Sequence, residues 1–368
     1  MSGSLLIYRD RLGVPSEIAF LRRQYAGFSR LQPVWVGRHV LPGAAALQGA
    51  VVRLGGEGLA GEVARLGFRL FGRIADADRE RLRRLRPVAV HAQFAKGGAL
   101  ALPLARALGL PLGVTIHGGD VMKRANWRRS RLLARRWPAL RSEAAAFLCV
   151  APHLGEELAR RGVPPDRIRL QVIGAEPSPT PPPTEQRRGH VFVGRLVEKK
   201  GIAIMAEALG RLRAEGWAEP FTVIGDGPLR PLLAGLPEVR LAGWLSPEAV
   251  RERLRQAACL WVPSMTAADG DEEGLPSVIV EAMMEGCPVV CTDGPGLAFA
   301  AGTAGLVVPA GDAGALAGAA RRISADPPLA AALAESGRRR ALAEFDAIMQ
   351  SAALESWFLG LAGQEPAS

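Results

Sequence analysis

Short apolar runs alternate with longer stretches of helical periodicity along almost the whole chain. The apolar runs show little polar alternation, so they predict strands that are covered on both faces, as in parallel sheets. Stretches such as residues 16–28 and 98–108 predict helices between the strands. The predicted strands are residues 5–8, 34–37, 88–91, 112–117, 146–150 and 168–173, followed by 190–193, 221–224, 239–242, 259–262, 289–292 and 306–308.

A proline-rich segment divides this alternation into two halves. Residues 177–184 hold five prolines, which exclude a helix interior or a central strand and predict a stiff, extended linker. The predicted fold class is α/β, with two Rossmann-like, doubly wound parallel-sheet domains facing a cleft. The predicted order is a first Rossmann-like domain, a linker, a second Rossmann-like domain and a final helix that crosses back to the first domain, at residues 1–176, 177–186, 187–344 and 345–368.

Composition narrows the class of protein without identifying it. With 368 residues, of which 48% are hydrophobic, the chain is long and apolar enough for two cores and is not a disordered protein. No apolar run reaches the roughly 18 residues of a membrane-spanning helix, and the N-terminus lacks a leader pattern, so a cytoplasmic protein is predicted. The four cysteines form no C-x-x-C pair, which favours buried thiols in a reducing compartment.

Charge is distributed unevenly along the chain. Residues 1–185 carry 29 lysines and arginines against 14 acidic residues, whereas residues 186–368 carry 17 against 22. Such asymmetry predicts an anionic partner for the first half. The basic, Trp-containing stretch 123–137 is either a solvated helix face or a surface for anionic lipid or a lipid-diphosphate acceptor, and it suggests peripheral contact with the inner face of the membrane. Nucleic acid is not expected, since no recognition module accompanies the charge.

In three segments of the second half, a predicted strand is followed directly by a glycine. After Gly194, the side chains of Arg195 and Lys200 leave the carboxyl end of a strand, where two fixed cations suit a diphosphate. Gly225 opens a Gly-Asp-Gly-Pro sequence that favours a tight strand-to-helix turn. The strand containing Leu241 also ends in glycine, and its backbone could face a nucleobase.

The fourth segment, residues 272–282, reads EEGLPSVIVEA. Proline suits the first turn of a helix, and the free N–H groups of that turn form an anion site that suits a phosphate. Glu281, about one turn into the helix, could accept two hydrogen bonds from a ribose diol, and Glu273 could hold sugar hydroxyls. The nucleotide contacts predicted from this segment are Gly274, Leu275, Pro276, Ser277 and Glu281.

Together these segments resemble the family 4 retaining glycosyltransferases, also called glycosyl transferases group 1, which have the GT-B architecture. The family's G-R-L-x-x-x-K-G pattern matches residues 194–201, and its G-x-G-P turn matches residues 225–228. Its two glutamates, separated by seven residues, match Glu273 and Glu281. The resemblance covers residues 88–325.

The resemblance implies metal-independent, hexosyltransferase-type transfer with retention and with no cofactor. The co-substrate would be a UDP- or GDP-linked sugar, and the acceptor a glycan, lipid-linked or small-molecule hydroxyl in cell-surface polysaccharide or glycoconjugate biosynthesis. It further implies that Arg195 and Lys200 bind the diphosphate, Glu281 the ribose and Glu273 the transferred sugar. His117 corresponds to a histidine beside the reacting sugar, so the implied catalytic set is His117, Glu273, Arg195 and Lys200.

Some features depart from this pattern or permit another interpretation. The family often has a glycine-rich loop after the first strand, but residues 9–17 contain only Gly13, which is retained as a candidate donor contact. His91 also ends a predicted strand and is either a core histidine or a site residue. Asp269 and Asp271 resemble a metal-binding D-x-D motif, yet they lie among the metal-free motifs, so no metal site is predicted.

Three other functions compete with this interpretation. A sugar-nucleotide epimerase can share the same architecture, and a catalytically silent protein could bind glycan or membrane. A dinucleotide-dependent oxidoreductase requires a G-x-G-x-x-G sequence after the first strand, which residues 5–17 lack.

Overall fold

The computed structural model describes residues 3–122 and 130–363. The chain forms two compact units, the first made of Met1–Ile173 and Ala347–Ser368 and the second of Gly174–Asp346. The chain therefore leaves the first unit, builds the second and returns. Within the described residues, no helix combines the length and the apolar character that crossing a membrane requires.

The elements alternate much as the apolar pattern predicts. The strands are β1 (Ser4–Tyr8), β2 (Arg11–Leu12), β3 (Gln32–Gly37), β4 (His39–Val40), β5 (Ala50–Arg53), β6 (Pro87–Gln93), β7 (Leu112–Ile116), β8 (Ala146–Cys149), β9 (Ile168–Leu170), β10 (His190–Val193), β11 (Phe221–Ile224), β12 (Val239–Gly243), β13 (Cys259–Val262), β14 (Val289–Thr292) and β15 (Leu306–Val308). The helices are α1 (Pro15–Gln24), α2 (Gly58–Phe71), α3 (Asp76–Arg84), α4 (Ala95–Leu108), α5 (Gly118–Val121), α6 (Arg131–Glu143), α7 (Pro152–Arg160), α8 (Ile202–Ala214), α9 (Pro247–Gln256), α10 (Ser277–Met284), α11 (Pro295–Ala301), α12 (Ala313–Ala325), α13 (Pro327–Glu344) and α14 (Ala347–Ala362).

The first unit is built on a parallel sheet with the strand order β5-β3-β1-β6-β7-β8-β9. β1 is buried at every position, which explains why its sequence is a continuous apolar run rather than an alternating one. Leu5 and Ile7 pack in one core with Ala89 of β6 and with Leu354 and Phe358 of α14.

The second unit is built on a parallel sheet with the order β12-β11-β10-β13-β14-β15. Trp261 of β13 is fully buried and packs in one core with Phe192 of β10 and Phe221 of β11. Leu209 of α8 and Leu316 of α12 pack in the same core. The two doubly wound parallel sheets confirm the predicted α/β fold class.

Each sheet reverses its direction of growth at one point. In the first unit the chain adds β3 and β5 on one side of β1 and then starts again with β6 on the other side. In the second unit it adds β11 and β12 beside β10 and then starts again with β13. Ligands of doubly wound sheets bind at such switch points, outside the carboxyl ends of the strands. The loops after β1, β6, β10 and β13 are therefore the expected positions of a ligand site.

The proline-rich segment, predicted as a linker between two domains, is bound to the second unit. It belongs to the second unit, where arginine side chains bind its backbone. The guanidinium of Arg338 donates to the carbonyl of Ser178 over 2.8 Å, and that of Arg255 donates to the carbonyl of Thr180 over 2.5 Å. Prolines lack N–H groups but keep their carbonyls, so the segment can be held by donors from a neighbouring surface.

The final helix, α14, packs on the first unit. The carboxylate of Glu355 is 1% exposed, and its Oε1 atom accepts hydrogen bonds from the backbone N–H groups of Ser29, Arg30 and Leu31 over 2.7–3.0 Å. Burial disfavours the ionised carboxylate, but these hydrogen bonds outweigh it and lower the pKa of Glu355. The helix is thus held by a charged polar contact as well as by its apolar face.

Candidate functional site

The four motif segments of the second unit meet at the carboxyl edge of its sheet, because they follow the adjacent strands β12, β11, β10 and β13. The N–H of Gly194 donates to the carbonyl of Ile224 over 2.9 Å, and the N–H of Gly225 donates to the carbonyl of Gly243 over 2.7 Å. On the other side, the N–H of Met265 donates to the carbonyl of Lys199 over 2.8 Å. Backbone bonds thus join segments that are far apart in sequence.

Gly225 permits the close approach of two of these loops. Its φ is 127°, and a Cβ atom at this position would lie 2.0 Å from the carbonyl oxygen of Gly194. Both the conformation and the space therefore require glycine. The Gly-Asp-Gly-Pro turn that the sequence singles out is consequently a tight joint between the loops after β10 and β11.

Lys200 and Glu273 form an ion pair at the switch point of the second sheet. The Nζ atom of Lys200 lies 3.1 Å from Oε1 of Glu273, and the two side chains are 15% and 12% exposed. Lys199 lies beside them, with its Nζ atom 3.6 Å from the same oxygen and 3.2 Å from Oδ1 of Asp271. The loop after β10 therefore supplies two cations to the carboxylates of the loop after β13.

These cations determine the charge of Glu273. Burial alone would raise the pKa of this carboxyl, but Lys200 and then Lys199 outweigh burial, and the pKa is lowered. Glu273 is therefore ionised at neutral pH and can accept hydrogen bonds from hydroxyl groups.

Glu272, the neighbour of Glu273, has a different partner. The Oε2 atom of Glu272 accepts a hydrogen bond from Oγ1 of Thr266 over 3.2 Å. A cavity of about 250 Å³ opens beside both glutamates, between the loops after β13 and β14, and Asp293 also lines it. The cavity offers a polar space that a hydroxyl-rich group could occupy.

The other predicted donor contacts lie around this pair. Arg195 is exposed, and within residues 3–122 and 130–363 its guanidinium makes no ion pair. Helix α10 begins at Ser277, with Pro276 immediately before it rather than within the first turn, and Glu281 is half-buried one turn later. The buried Gly274 packs against α11, since a Cβ atom on Gly296 would lie 2.1 Å from the Gly274 carbonyl oxygen. Leu275 and Leu241 are half-buried, and the nucleobase contact of Leu241 stays a prediction.

The D-x-D sequence is engaged within its own loop. Oδ1 of Asp269 accepts a hydrogen bond from the backbone N–H of Asp271 over 3.0 Å. The carboxylate of Asp271 in turn faces Lys199. These contacts give both aspartates a role in shaping the loop that carries Glu273.

In the first unit, His117 lies at the corresponding edge, directly after β7. Its ring lies against Phe94, with 4.4 Å between centroids, and against Phe20, with 5.1 Å, and both ring pairs are tilted. Its Nε2 atom lies 3.0 Å from Oε1 of Gln93, the last residue of β6. Thus β6 and β7, which are neighbours in the sheet, position the imidazole from two sides.

Gln93 belongs to a buried chain of hydrogen bonds. Its Nε2 atom donates to Oε1 of Gln24 and to the hydroxyl of Tyr25, both over 2.8 Å. Because the amide nitrogen is the donor in these bonds, Oε1 remains to accept from His117. This direction assigns the proton to Nε2 of His117 and leaves Nδ1 as an acceptor.

The histidine is also neutral. Burial, followed by repulsion from the Arg9 guanidinium, lowers the pKa of His117 to about 3. A neutral imidazole whose Nδ1 carries no proton can accept a hydrogen bond from a hydroxyl group at neutral pH.

His91 has a structural role. It lies inside β6 rather than at the end of a strand, it is fully buried, and its two ring nitrogens lie 2.8 Å from the Tyr25 hydroxyl and 2.7 Å from Oγ1 of Thr115. Burial and then His117 lower the pKa of His91 to about 3. Both ring nitrogens of this core histidine have hydrogen-bond partners, and its contact with Tyr25 joins it to the buried network around Gln93.

Two contributors to this site are not apparent from the sequence. Gln93 and Phe94 carry no motif, and their roles depend on β6 lying beside β7. Phe94 adopts a φ of 68°, which is rare for a residue with a side chain and costs free energy. This conformation places its ring between the imidazole of His117 and the guanidinium of Arg9, which lies 4.4 Å from the ring centroid.

Gly13 has a clear packing role in the loop after β1. Its φ is 84°, and a Cβ atom would lie 2.2 Å from the N atom of Ala44. The donor contact of Gly13 remains a prediction. Of the basic stretch 123–137, residues 123–129 lie outside the described residues, and α6 begins at Arg131.

Two family models match the chain. The model described as Glycosyl transferases group 1 matches residues 187–326, and the model described as Glycosyltransferase Family 4 matches residues 47–174. The first includes all the motif segments of the second unit, and the second includes β6, β7 and His117 of the first unit.

Curated relatives agree with these models. The amylovoran biosynthesis glycosyltransferase AmsK of Erwinia amylovora is 32% identical over 247 residues, which cover 63% of this chain and 60% of the relative. The alpha-D-kanosaminyltransferase of Streptomyces kanamyceticus is 28% identical over 290 residues, which cover 70% of this chain and 74% of the relative. Two further glycosyltransferases are matched over 43% of their length.

Solved structures share the fold. The sucrose-phosphate synthase of Thermosynechococcus elongatus matches with a TM-score of 0.74 at 20% identity, covering 98% of this chain and 99% of that chain. Anabaena HepE in complex with UDP matches with a TM-score of 0.77 at 15% identity, covering 97% and 100%. At these identities the likeness concerns the GT-B fold alone. Together with the family models and the relatives, it shows that the chain belongs to the family 4 glycosyltransferases, the glycosyl transferases group 1.

Proposed function

We propose that the protein is a retaining, metal-independent glycosyltransferase. It would move a hexose from a UDP- or GDP-linked donor to a hydroxyl acceptor in the biosynthesis of a cell-surface polysaccharide or glycoconjugate. The acceptor would be a glycan, a lipid-linked sugar or a small molecule, and no cofactor beyond the donor would be needed.

The ion pair of Lys200 with Glu273 is the observation that carries this proposal. It places a cation and an ionised carboxylate side by side at the switch point of the donor-side sheet, next to a polar cavity. A nucleotide sugar presents a diphosphate next to a hydroxyl-rich ring, so it needs these two charges at neighbouring positions. Relatives supply the chemical class, because AmsK is an amylovoran biosynthesis glycosyltransferase and HepE is known in complex with UDP and with UDP-glucose.

In the proposed reaction, the bond between the anomeric carbon and the diphosphate oxygen breaks as the acceptor oxygen bonds to that carbon. The acceptor proton passes to the departing diphosphate on the same face of the sugar, so the configuration is retained. Negative charge grows on the diphosphate, where Lys200, the exposed Arg195 and the N–H groups at the start of α10 would stabilise it. Glu273 and the neutral His117 would hold sugar hydroxyls.

Positive charge from side chains and a helix start would replace a divalent cation in this scheme. The two aspartates of the D-x-D sequence support that view, since Asp271 faces Lys199 and Asp269 accepts from the backbone of Asp271. The proposal also includes a peripheral location at the inner face of the membrane, which the positive charge of residues 1–185 supports.

A two-part experiment tests the proposal. Thermal shifts with UDP, GDP, ADP and TDP would identify the base, and the matching sugar nucleotide would then be offered with a panel of alkyl glycosides as acceptors. Glu273→Gln should abolish transfer, while the matched variant Glu272→Gln keeps most of it, and proton NMR of the product should show retention. Transfer by Glu273→Gln at the native rate, an inverted product, or strict dependence on added Mn²⁺ or Mg²⁺ would contradict the proposal.

A further inference from the structure

Helix α2 exposes its apolar residues. Leu59, Val63, Leu66 and Leu70 are 86%, 71%, 53% and 47% exposed, and their spacing of four, three and four residues places them on one face. Phe71, at the end of the helix, is 69% exposed and extends that face. Single exposed apolar residues are normal on protein surfaces, but a contiguous stripe marks a surface that another body covers.

The opposite face of α2 is correspondingly unusual, because it buries an arginine. Arg65 is 2% exposed, and its guanidinium donates to the carbonyl of Gly56 over 2.6 Å and pairs with Glu62 over 2.5 Å. Only Gly61 and Phe68 accompany it among the buried residues of this helix. The helix is thus oriented with its apolar stripe away from the core, and a contact that fixes Arg65 holds it in that orientation.

Arginines surround the carboxyl end of the stripe. A cavity of about 530 Å³ lies next to Phe71 and is lined by Arg106, Arg135 and Arg136, from α4 and α6. Arg136 donates to the carbonyl of Ala99 over 3.0 Å and to that of Arg69 over 3.4 Å, so it ties α4 and α2 together.

Part of this positive charge is unbalanced. Arg106 pairs with Glu143, but neither Arg135 nor Arg136 pairs with a carboxylate in the described part of the chain. Burial and then repulsion from Arg135 lower the pKa of Arg136, in keeping with the crowding of three arginines around one cavity. A phosphate group in this cavity would relieve that crowding.

We propose that the exposed stripe of α2 and the adjoining arginine cavity form a docking surface for an anionic phospholipid bilayer. The apolar side chains would enter the boundary between headgroups and acyl chains, and the arginines would bind lipid phosphates. This inference deepens the peripheral location and to that extent rests on the proposed function, but it does not depend on the transfer reaction.

The combination of features favours a bilayer over a second copy of the chain. A twofold contact through this stripe would bring the same surface of each copy together, and with it two clusters of unbalanced arginines. An anionic bilayer instead offers both an apolar layer for the stripe and negatively charged phosphates for the arginines of the cavity.

Co-sedimentation of the full chain with vesicles tests the surface. The native protein should bind vesicles that contain phosphatidylglycerol, and bind them more weakly as salt is added or when phosphatidylcholine is used alone. The Leu66→Gln/Leu70→Gln variant should bind about tenfold more weakly or worse, because two apolar side chains no longer enter the bilayer. Arg135→Gln/Arg136→Gln should lose the preference for anionic lipid. The matched control is Leu232→Gln, since Leu232 is 47% exposed in the second unit.

A fluorescence measurement avoids dependence on the folding of these variants. A polarity-sensitive dye on Leu66→Cys should shift to the blue with anionic vesicles, whereas the same dye on Leu232→Cys should not. No vesicle binding by the native protein, or equal shifts at the two positions, would overturn the proposal, as would a dimer that Leu66→Gln/Leu70→Gln disperses without any vesicle binding. Nucleotide binding, followed in the same samples, distinguishes a failure of the surface from a failure of the proposed function.

Discussion

The Nε2 atom of His117 lies 3.0 Å from the Oε1 atom of Gln93, and the amide nitrogen of Gln93 donates to Gln24 and Tyr25 behind it. The glutamine therefore acts on His117 as a positioning residue, which sets the tautomer and the plane of the ring. Gln93 lies at the end of the neighbouring strand, 24 residues away in the sequence, so sequence proximity does not indicate this contact.

If His117 has the proposed role, Gln93→Leu should lower kcat by roughly tenfold to a hundredfold and change the KM for the donor less, because a tilted imidazole would no longer meet the reacting sugar. Nitrogen NMR should show the His117 proton on Nε2 in the native protein and a mixture of tautomers in the variant. Gln171→Leu, which removes a side-chain hydrogen bond elsewhere in the same unit, is the control. An unchanged His117 spectrum in Gln93→Leu would refute the positioning role.

Lys200→Ala should weaken nucleoside diphosphate binding by about tenfold or more, since the proposed charge-assisted bond to phosphate would be lost at a poorly exposed position. The adjacent Lys199→Ala should weaken it less, because Lys199 pairs with Asp271 and leaves the Lys200 contact with Glu273 intact. Calorimetry with UDP or GDP measures both. Equal losses in the two variants would argue that the loop acts through its overall charge.

Gly225→Ala should disrupt the joint between the loops after β10 and β11, because its Cβ atom has no room beside the Gly194 carbonyl. We expect a lower Tm together with loss of nucleotide binding. Gly235→Ala is the matched control in the same unit, since a Cβ atom there meets nothing within 4 Å. Similar melting curves for the two variants would show that the loops can separate without cost.

Glu355→Ala should destabilise the first unit by about 2–4 kcal/mol, because it leaves the backbone N–H groups of Ser29, Arg30 and Leu31 buried without an acceptor. Glu355→Gln should cost less, since the amide oxygen can still accept hydrogen bonds. Denaturant unfolding measures the difference. Equal stability of the native and alanine proteins would mean that apolar packing alone holds α14.

Acid should destabilise the protein well above the pH at which its carboxylates titrate. Burial is the main cause that lowers the pKa of His91, His117 and His190 to about 3 in the folded chain. An unfolded histidine takes up a proton below about pH 6.5, so the unfolded state binds more protons and the free energy of unfolding falls as the pH drops. Each histidine contributes about 1.4 kcal/mol per pH unit in that range.

Thermal melts between pH 7.5 and pH 5 check this slope. His190→Gln keeps an acceptor for the indole N–H of Trp261 and should flatten the slope of the second unit. A Tm that does not change across this range would contradict the expectation.

The sequence predicts which motif residues of the second unit lie together, because their spacing is local. Gly194, Arg195 and Lys200 lie in one loop, and the spacing of Glu273 and Glu281 is that of one loop and one helical turn. Continuous apolar runs likewise predict the strands, since parallel strands are buried on both faces. The five-residue β1, for example, is buried throughout.

Features that depend on strand adjacency or on backbone strain escape this kind of prediction. Gln93 and Phe94 matter because β6 pairs with β7 and because a residue with a side chain adopts a positive φ. Helix α2 runs against the usual rule that apolar residues face a core, since the structure buries Arg65 and exposes Leu66 and Leu70. The proline content predicts a stiff, extended linker, and it gives no sign that arginines of the second unit bind the carbonyls of this segment.

The return of α14 to the first unit has a consequence for synthesis on the ribosome. Leu5 and Ala89 form part of a core that Leu354 and Phe358 complete, yet the entire second unit is translated in between. At typical elongation rates this delay lasts roughly ten to thirty seconds. The second unit, whose chain is continuous, can fold during that time, while the first presents an uncovered apolar sheet face to chaperones until residues 347–362 emerge. The part of the protein that is made first is therefore finished last.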